Sequence, residues 1–249
     1  MTYQVLRLTA SLNADFYSIS VEAINYASYV LIATQSLIVA ILVCIEINHL
    51  EDFNIDKFTI LTLILFSFPG LILWNNLLLF LTASACVIAI VAFIIKRPEM
   101  MKTNLRWALI GIVFGVIAVV FLAQSELLLR NTWLAPHYLQ NSLVISALIH
   151  IQNEFSFTSL HEEILFRGFI WGYLREYGWK ENKIAWAQGI LFWFSHFGNL
   201  VTPFSFFVAV PIVTMISSQL TKRSKQVFPS ILSHTIMNAV SSVLSLATF

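Results

Sequence analysis

Three observations predict an all-α fold, a polytopic bundle of transmembrane helices. The 249 residues are 58% hydrophobic and only 11% charged, a makeup foreign to water-soluble globules. The charges gather at intervals, leaving charge-free stretches at 23–45, 58–95, 107–125, 131–153, 184–221 and 226–249. A helix needs about 20 apolar residues to cross a bilayer, and these stretches supply them.

Two of the stretches, 58–95 and 184–221, are long enough for two crossings each. Pro69-Gly70 and Asn75-Asn76 offer a break in the first, and Asn199 to Pro203 offers one in the second, because Pro and Gly punctuate helices. The count is therefore about eight spans. Residues 1–26 hold one basic residue, Arg7, and no apolar core with a small-residue cleavage site, so they read as an interfacial segment and not a removable signal. Residues 27–138 form an N-terminal set of helices and 139–249 a C-terminal set, within one membrane domain.

Three basic clusters orient the bundle: Lys96, Arg97, Lys102 and Arg106; Arg175, Lys180 and Lys183; and Lys222, Arg223 and Lys225. Cytoplasmic loops are enriched in Lys and Arg, so all three belong on the cytoplasmic side. That requires one crossing within 141–174, part of it broken or interfacial, and two within 184–221. The expected partner is the lipid bilayer. A net charge of +1 argues against nucleic acid. Cys44 and Cys86 lie in apolar stretches and read as buried free thiols.

Against this background Glu162-Glu163-Ile164-Leu165-Phe166-Arg167 stands out, because ionised groups in hydrocarbon are costly and usually functional. His196 lies in a second span, following Phe192 by four residues, and His234 precedes Asn238 by four in a third. Residues four apart share a helix face. Glu163 can thus pair with Arg167, while His234 and Asn238 point to one side. Glu162 is thirteen residues before Arg175, His196 thirteen after Lys183, and Asn238 thirteen and His234 nine after Lys225. At about 1.5 Å per residue all four fall roughly 14–20 Å from the cytoplasmic ends of three helices, where they can meet in one cavity.

A carboxylate, two imidazoles and a carboxamide are suited to adding water to a carbonyl. Glu162 or Glu163 would act as general base, helped by a histidine. Asn and His would donate hydrogen bonds to the developing oxyanion. Ser195 and Ser233 each precede a histidine, but helix neighbours point about 100° apart, so neither reads as a nucleophile with its base. Zinc held by the same His and Glu side chains is the competing reading. The sequence gives it less support, since His161-Glu162-Glu163-Ile164-Leu165 ends in leucine where His-Glu-x-x-His needs histidine. A proton-coupled carrier and a non-catalytic scaffold or immunity protein are further readings. His161 reads as a neighbour of the site or interfacial; His49, His137 and His150, and the aromatics Trp171, Trp179 and Trp186, suit membrane interfaces.

Glu162-Glu163-x-x-x-Arg167, Phe192-x-x-x-His196 and His234-x-x-x-Asn238, in that order on successive apolar segments, resemble the motifs of the CPBP family, the CAAX prenyl endopeptidases and bacteriocin-processing (Abi) proteins. The resemblance covers about 155–243 and extends to Phe166-Arg167-Gly168 after the acids. It implies a metal-independent intramembrane glutamic protease with no cofactor, whose cavity opens to the cytosol of a bacterial cell. Glu162 would activate water with help from His196. His234 and Asn238 would position the water or stabilise the oxyanion, and Glu163 and Arg167 would be supporting residues. The substrate would be a membrane-associated protein or peptide, lipidated or not.

Overall fold

The computed structural model describes residues 34–35, 37–56, 58–60, 62–63, 105–130, 151, 154, 158–197 and 203–247. Every regular element among them is helical. Two helical stretches are long and apolar enough to cross a membrane, Leu105–Leu122 with a mean hydropathy of 2.5 and Ser205–Ser224 with 1.2. The expected total of about eight spans, the segment 1–26 and the breaks at Pro69-Gly70, Asn75-Asn76 and 199–202 lie outside the described residues.

Helix α1, Leu105–Arg130, is apolar all round from Trp107 to Ala123, so small residues and not an apolar stripe decide which face packs. Ala108, Gly111, Gly115 and Ala118 line up along one side and are buried, while Leu109, Val113, Val116 and Ile117 are exposed. Small residues let helix backbones approach closely in a bilayer, where lipid tails are as apolar as leucine. The approach here is to α6, Phe228–Ala247. A Cβ at Gly111 would stand 2.3 Å from the Pro229 carbonyl oxygen, and one at Gly115 would stand 2.9 Å from that of Ser233.

The acidic motif lies on a continuous helical rod. Helix α2, Ser159–Glu163, passes into a π-helical stretch at Ile164–Ile170 and then into α3, Trp171–Glu176. Wide turns of this kind are rare and favour functional sites. The turn at 46–56 packs against the rod, with Phe53 fully buried between Phe169 (5.2 Å between ring centroids) and Tyr173 (4.9 Å). Gly172 makes room for it, since a Cβ there would meet the Phe53 ring at 2.2 Å. Asn54, held at φ 60°, ties three elements together. Its side-chain amide donates to the Arg167 carbonyl (3.3 Å), its Oδ1 accepts from Arg175 (3.2 Å), and its own carbonyl accepts from the Val227 amide (2.8 Å).

After a reversal at 177–180, α4 runs Glu181–Ser195. Glu181 closes the reversal by accepting from Arg175 Nε (2.7 Å) and from the Trp171 indole (2.9 Å). Trp171 is wholly buried, which corrects its expected place at the lipid interface. The indole has a carboxylate partner in Glu181 and need not seek the headgroups. Trp179 and Trp186 are exposed. A second π-helical stretch, Ser205–Ala209, leads into α5, Val210–Ser224. It precedes Pro211, which lacks an N–H and crowds the carbonyl four residues back. Helix α5 packs on α4, where Gln188 donates to Ser218, and ends at Lys225 in the left-handed region (φ 55°).

Arg175, Lys183 and Lys222 all fall at one end of the bundle, where Lys222 Nζ donates to Asn182. His49 stands at that end too, exposed and paired with Asp52 at 3.4 Å. Cys44 is free, and its side chain is exposed rather than buried; Cys86, His137 and His150 lie outside the described residues.

Candidate active site

Glu162 and Glu163 sit where α2 passes into the π-helical stretch, and successive helical residues face different neighbours. Glu163 turns inward and is completely buried. Its Oε1 lies 3.1 Å from Arg167 Nη1, both side chains being 0% exposed, so the expected pair along the helix is present. The same oxygen accepts from His234 Nδ1 at 2.8 Å. The Arg167 guanidinium carbon lies 4.1 Å from the centroid of the Phe192 ring, a cation–π contact that gains strength in a dry site.

Glu162 faces another helix. Its Oε2 stands 3.7 Å from His196 Nε2, with side chains 16% and 17% exposed. Among the described residues no donor reaches Glu162 Oε2. His196 Nδ1 is 2.9 Å from the Phe192 carbonyl, and a carbonyl oxygen only accepts, so Nδ1 carries the hydrogen. In the neutral ring Nε2, the nitrogen turned to Glu162, is therefore the bare one.

Helix α4 ends at Ser195, and His196 leaves helical geometry at φ −93°, ψ 19°. Ser195 Oγ consequently comes within 3.1 Å of His196 Nδ1, a contact that unbroken helical geometry would not give. Its hydroxyl donates to the Phe192 carbonyl at 2.6 Å. The Phe192 ring is 4.5 Å from the His196 ring and 5.7 Å from that of His234. The phenylalanine of the Phe-x-x-x-His motif is thus the apolar contact that joins the two histidines.

On α6 the Asn238 amide nitrogen lies 3.1 Å from His234 Nε2 and donates to Glu154 Oε2 at 2.8 Å. That oxygen also accepts from Ser159 Oγ at 2.9 Å. The site residues therefore form two groups. Glu162 and His196 make one; Arg167, Glu163, His234, Asn238, Glu154 and Ser159 make the other as a continuous polar chain. The peptide between the two glutamates and the Phe192 ring connect them. His161 is 1% exposed, beside the site and not at an interface.

Glu154 is the residue that sequence reasoning passed over. It is the first charge after the stretch 131–153 and lies eight residues, about two helical turns, before Glu162, and the rule that singled out the acidic pair applies to it equally. As for zinc, no three His, Cys, Asp or Glu side chains among the described residues are grouped to hold a metal ion. Both nitrogens of His234 are engaged within the polar chain.

Outside the membrane, burial would raise the Glu181 carboxyl, but the hydrogen bonds from Arg175 and Trp171 outweigh it and hold the group below the usual carboxylate range.

No curated protein and no solved structure matches the chain. Residues 146–240, under half of the chain, match the family model of the Rce1-like type II CAAX prenyl endopeptidases, a family of membrane-embedded proteases. That segment contains all three motifs, both glutamates, both site histidines, Arg167 and Asn238. Over residues 146–240 the chain is similar to the type II CAAX prenyl endopeptidases, in line with the CPBP-like order of its motifs.

Proposed function

We propose that the protein is an intramembrane endopeptidase that hydrolyses a peptide bond of a membrane-associated or lipidated protein or peptide with water activated by Glu162. The observation that carries this reading is the pair Glu162 Oε2 and His196 Nε2, two acceptors 3.7 Å apart. Such a gap is too wide for a direct hydrogen bond and suits one bridging water, which would donate a hydrogen to each and turn its lone pairs toward a substrate carbonyl.

Glu162 takes one proton as the water oxygen bonds to the carbonyl carbon. His234 and Asn238, one helical turn apart, position the reactants: the hydrogens of the Asn238 amide and of His234 Nδ1 are already taken within the polar chain. Glu162 then returns its proton to the departing amine nitrogen as the C–N bond breaks, leaving a carboxylic acid that gives the water's second proton to the new amine or to solvent and becomes a carboxylate. Glu163 and Arg167 hold His234 and Phe192 in place. The protein's own residues supply every proton transfer, so the reaction needs no metal. The basic residues gathered at one end support a site open to the cytosol, and the modest length and short loops of the chain suit a bacterial cell membrane.

The test is cleavage by the purified protein in lipid nanodiscs of a farnesylated CAAX-terminated peptide and its unprenylated counterpart, with a chelator present and products identified by mass spectrometry. Cleavage of at least one peptide in chelator supports the proposal. No cleavage of either contradicts it, and activity that is lost in chelator and restored by zinc transfers the chemistry to a metal.

A further inference from the structure

Glu154 belongs to none of the three motifs, yet its carboxylate ends the polar chain that begins at Arg167. We infer that Glu154 is a positioning residue for the proposed hydrolysis, fixing which way the Asn238 carboxamide points. The inference rests on the function proposed above.

The argument is one of donors and acceptors. A carboxamide can turn by 180°, exchanging its NH2 for its oxygen, and only its neighbours choose between the two orientations. Asn238 has three such neighbours, of which Ser159 Oγ, at 3.5 Å, is the most distant. His234 Nε2 lies 3.1 Å from the amide nitrogen. The Nδ1 of that imidazole donates to Glu163, so in the neutral ring Nε2 is bare and accepts. Glu154 Oε2 is the second, at 2.8 Å. With the nitrogen inward, both hydrogens of the amide have acceptors. With the oxygen inward, it would face a carboxylate oxygen and a bare ring nitrogen, while the one hydroxyl hydrogen nearby, that of Ser159, is already given to Glu154.

The histidine alone holds this preference weakly, because an imidazole can move its hydrogen or gain one and so face either side of an amide. Glu154 makes the preference firm. The carboxylate is itself held by Ser159, whose hydroxyl is fully buried on α2 and donates to the same oxygen. Glu154, through Ser159, thus ties the orientation of Asn238 on α6 to the helix that carries Glu162. Without it the amide turns, and the polar groups that position the reactants lose their arrangement.

The test is a double-mutant cycle on the wild-type full chain in nanodiscs, using whichever of the two peptides is cleaved. Glu154→Leu removes the acceptor at similar volume and is expected to lower kcat about tenfold or more, within the roughly 10²-fold that misplacing groups at a reacting centre can cost, with KM little changed. Glu154→Gln, whose amide oxygen can still accept, is expected to recover most of that loss. In an Asn238→Ala background, followed over long incubations, Glu154→Leu should have no further effect, because groups that act through one another are not additive. Ser159→Ala, a milder change, should give a loss of a few-fold that also vanishes in that background, and it serves if Glu154→Leu does not fold. The inference is overturned if the wild type cleaves and Glu154→Leu matches it, if the losses add in the Asn238→Ala background, or if Glu154→Leu raises kcat/KM. The last result would make Glu154 a competitor for the donors. Wild-type protein that cleaves neither peptide overturns the proposed function, and this inference with it.

Discussion

His234 on α6 donates from Nδ1 to Glu163 Oε1 at 2.8 Å, a bond between residues 71 positions apart, and Arg167 approaches the same oxygen at 3.1 Å. Three ionisable groups, each no more than 2% exposed, share one carboxylate oxygen. Removing one member of such a buried set leaves the others without compensation, at a cost of about 3–5 kcal/mol. Glu163→Ala is therefore expected to lower the unfolding midpoint of the detergent-solubilised protein sharply. An unchanged midpoint would show that water or lipid compensates Arg167 and His234.

The crossing of α1 and α6 makes a second prediction. The atom that a Cβ at Gly111 would strike is the backbone oxygen of Pro229, at 2.3 Å, and no rotamer change relieves a clash with backbone. Gly111→Ala should destabilise by about 1–3 kcal/mol, the range for overpacking. Gly178 has φ 77° and open space around its Cβ position. Its alanine variant should cost only the backbone strain, about 1–2 kcal/mol. Thermal melts of the two variants, read beside the parent, give the comparison.

These cases separate what was legible in the sequence from what was not. The spacing of Glu163 to Arg167 and of His234 to Asn238 is one helical turn, so each pair could be read from sequence alone. Placing both histidines near the acids needed only helix rise and the basic residues as depth markers. Contacts that depend on how each helix is rotated against its neighbours were hidden. They include the bond from His234 to Glu163, the bond from Asn238 to Glu154, the burial of Trp171 against Glu181 and the exposure of Cys44. The approach of Ser195 to His196 was hidden for a different reason: it exists because the helix stops between them.

That approach makes a third prediction. Ser195 donates its hydroxyl hydrogen to the Phe192 carbonyl, and His196 Nδ1, with its own hydrogen on that carbonyl, has no lone pair to take a second. Ser195→Ala should retain cleavage within a few-fold, and no covalent acyl adduct should be trapped at Ser195 by rapid acid quench and mass spectrometry. A burst of product with an adduct on Ser195 would replace water with serine as the nucleophile.

The junction at Arg175, Trp171 and Glu181 gives stability a pH dependence. The folded state holds the Glu181 carboxyl below its ordinary value, so folding favours the ionised form. Its contribution is fully present above the ordinary carboxylate range, near 4.3 in an unfolded chain, and is lost as pH falls through the depressed value. Glu181→Gln should lower the melting temperature modestly at pH 7, since Glu181 is 41% exposed and solvent screens the pair. The gap to the parent should close as the pH is taken below 4. A gap that is constant from pH 7 to pH 3 would assign the effect to packing and not to charge.

The division of labour between Glu162 and Glu163 is the centre of the account, and Glu162→Gln tests it most directly. The variant keeps the size of the side chain and removes only the ability to take a proton from water. Measured in nanodiscs on a peptide that the parent cleaves, it should lose about 10² or more in kcat, the scale of general base catalysis, while melting at the parental temperature. Cleavage by Glu162→Gln at the parental rate would contradict the glutamate mechanism.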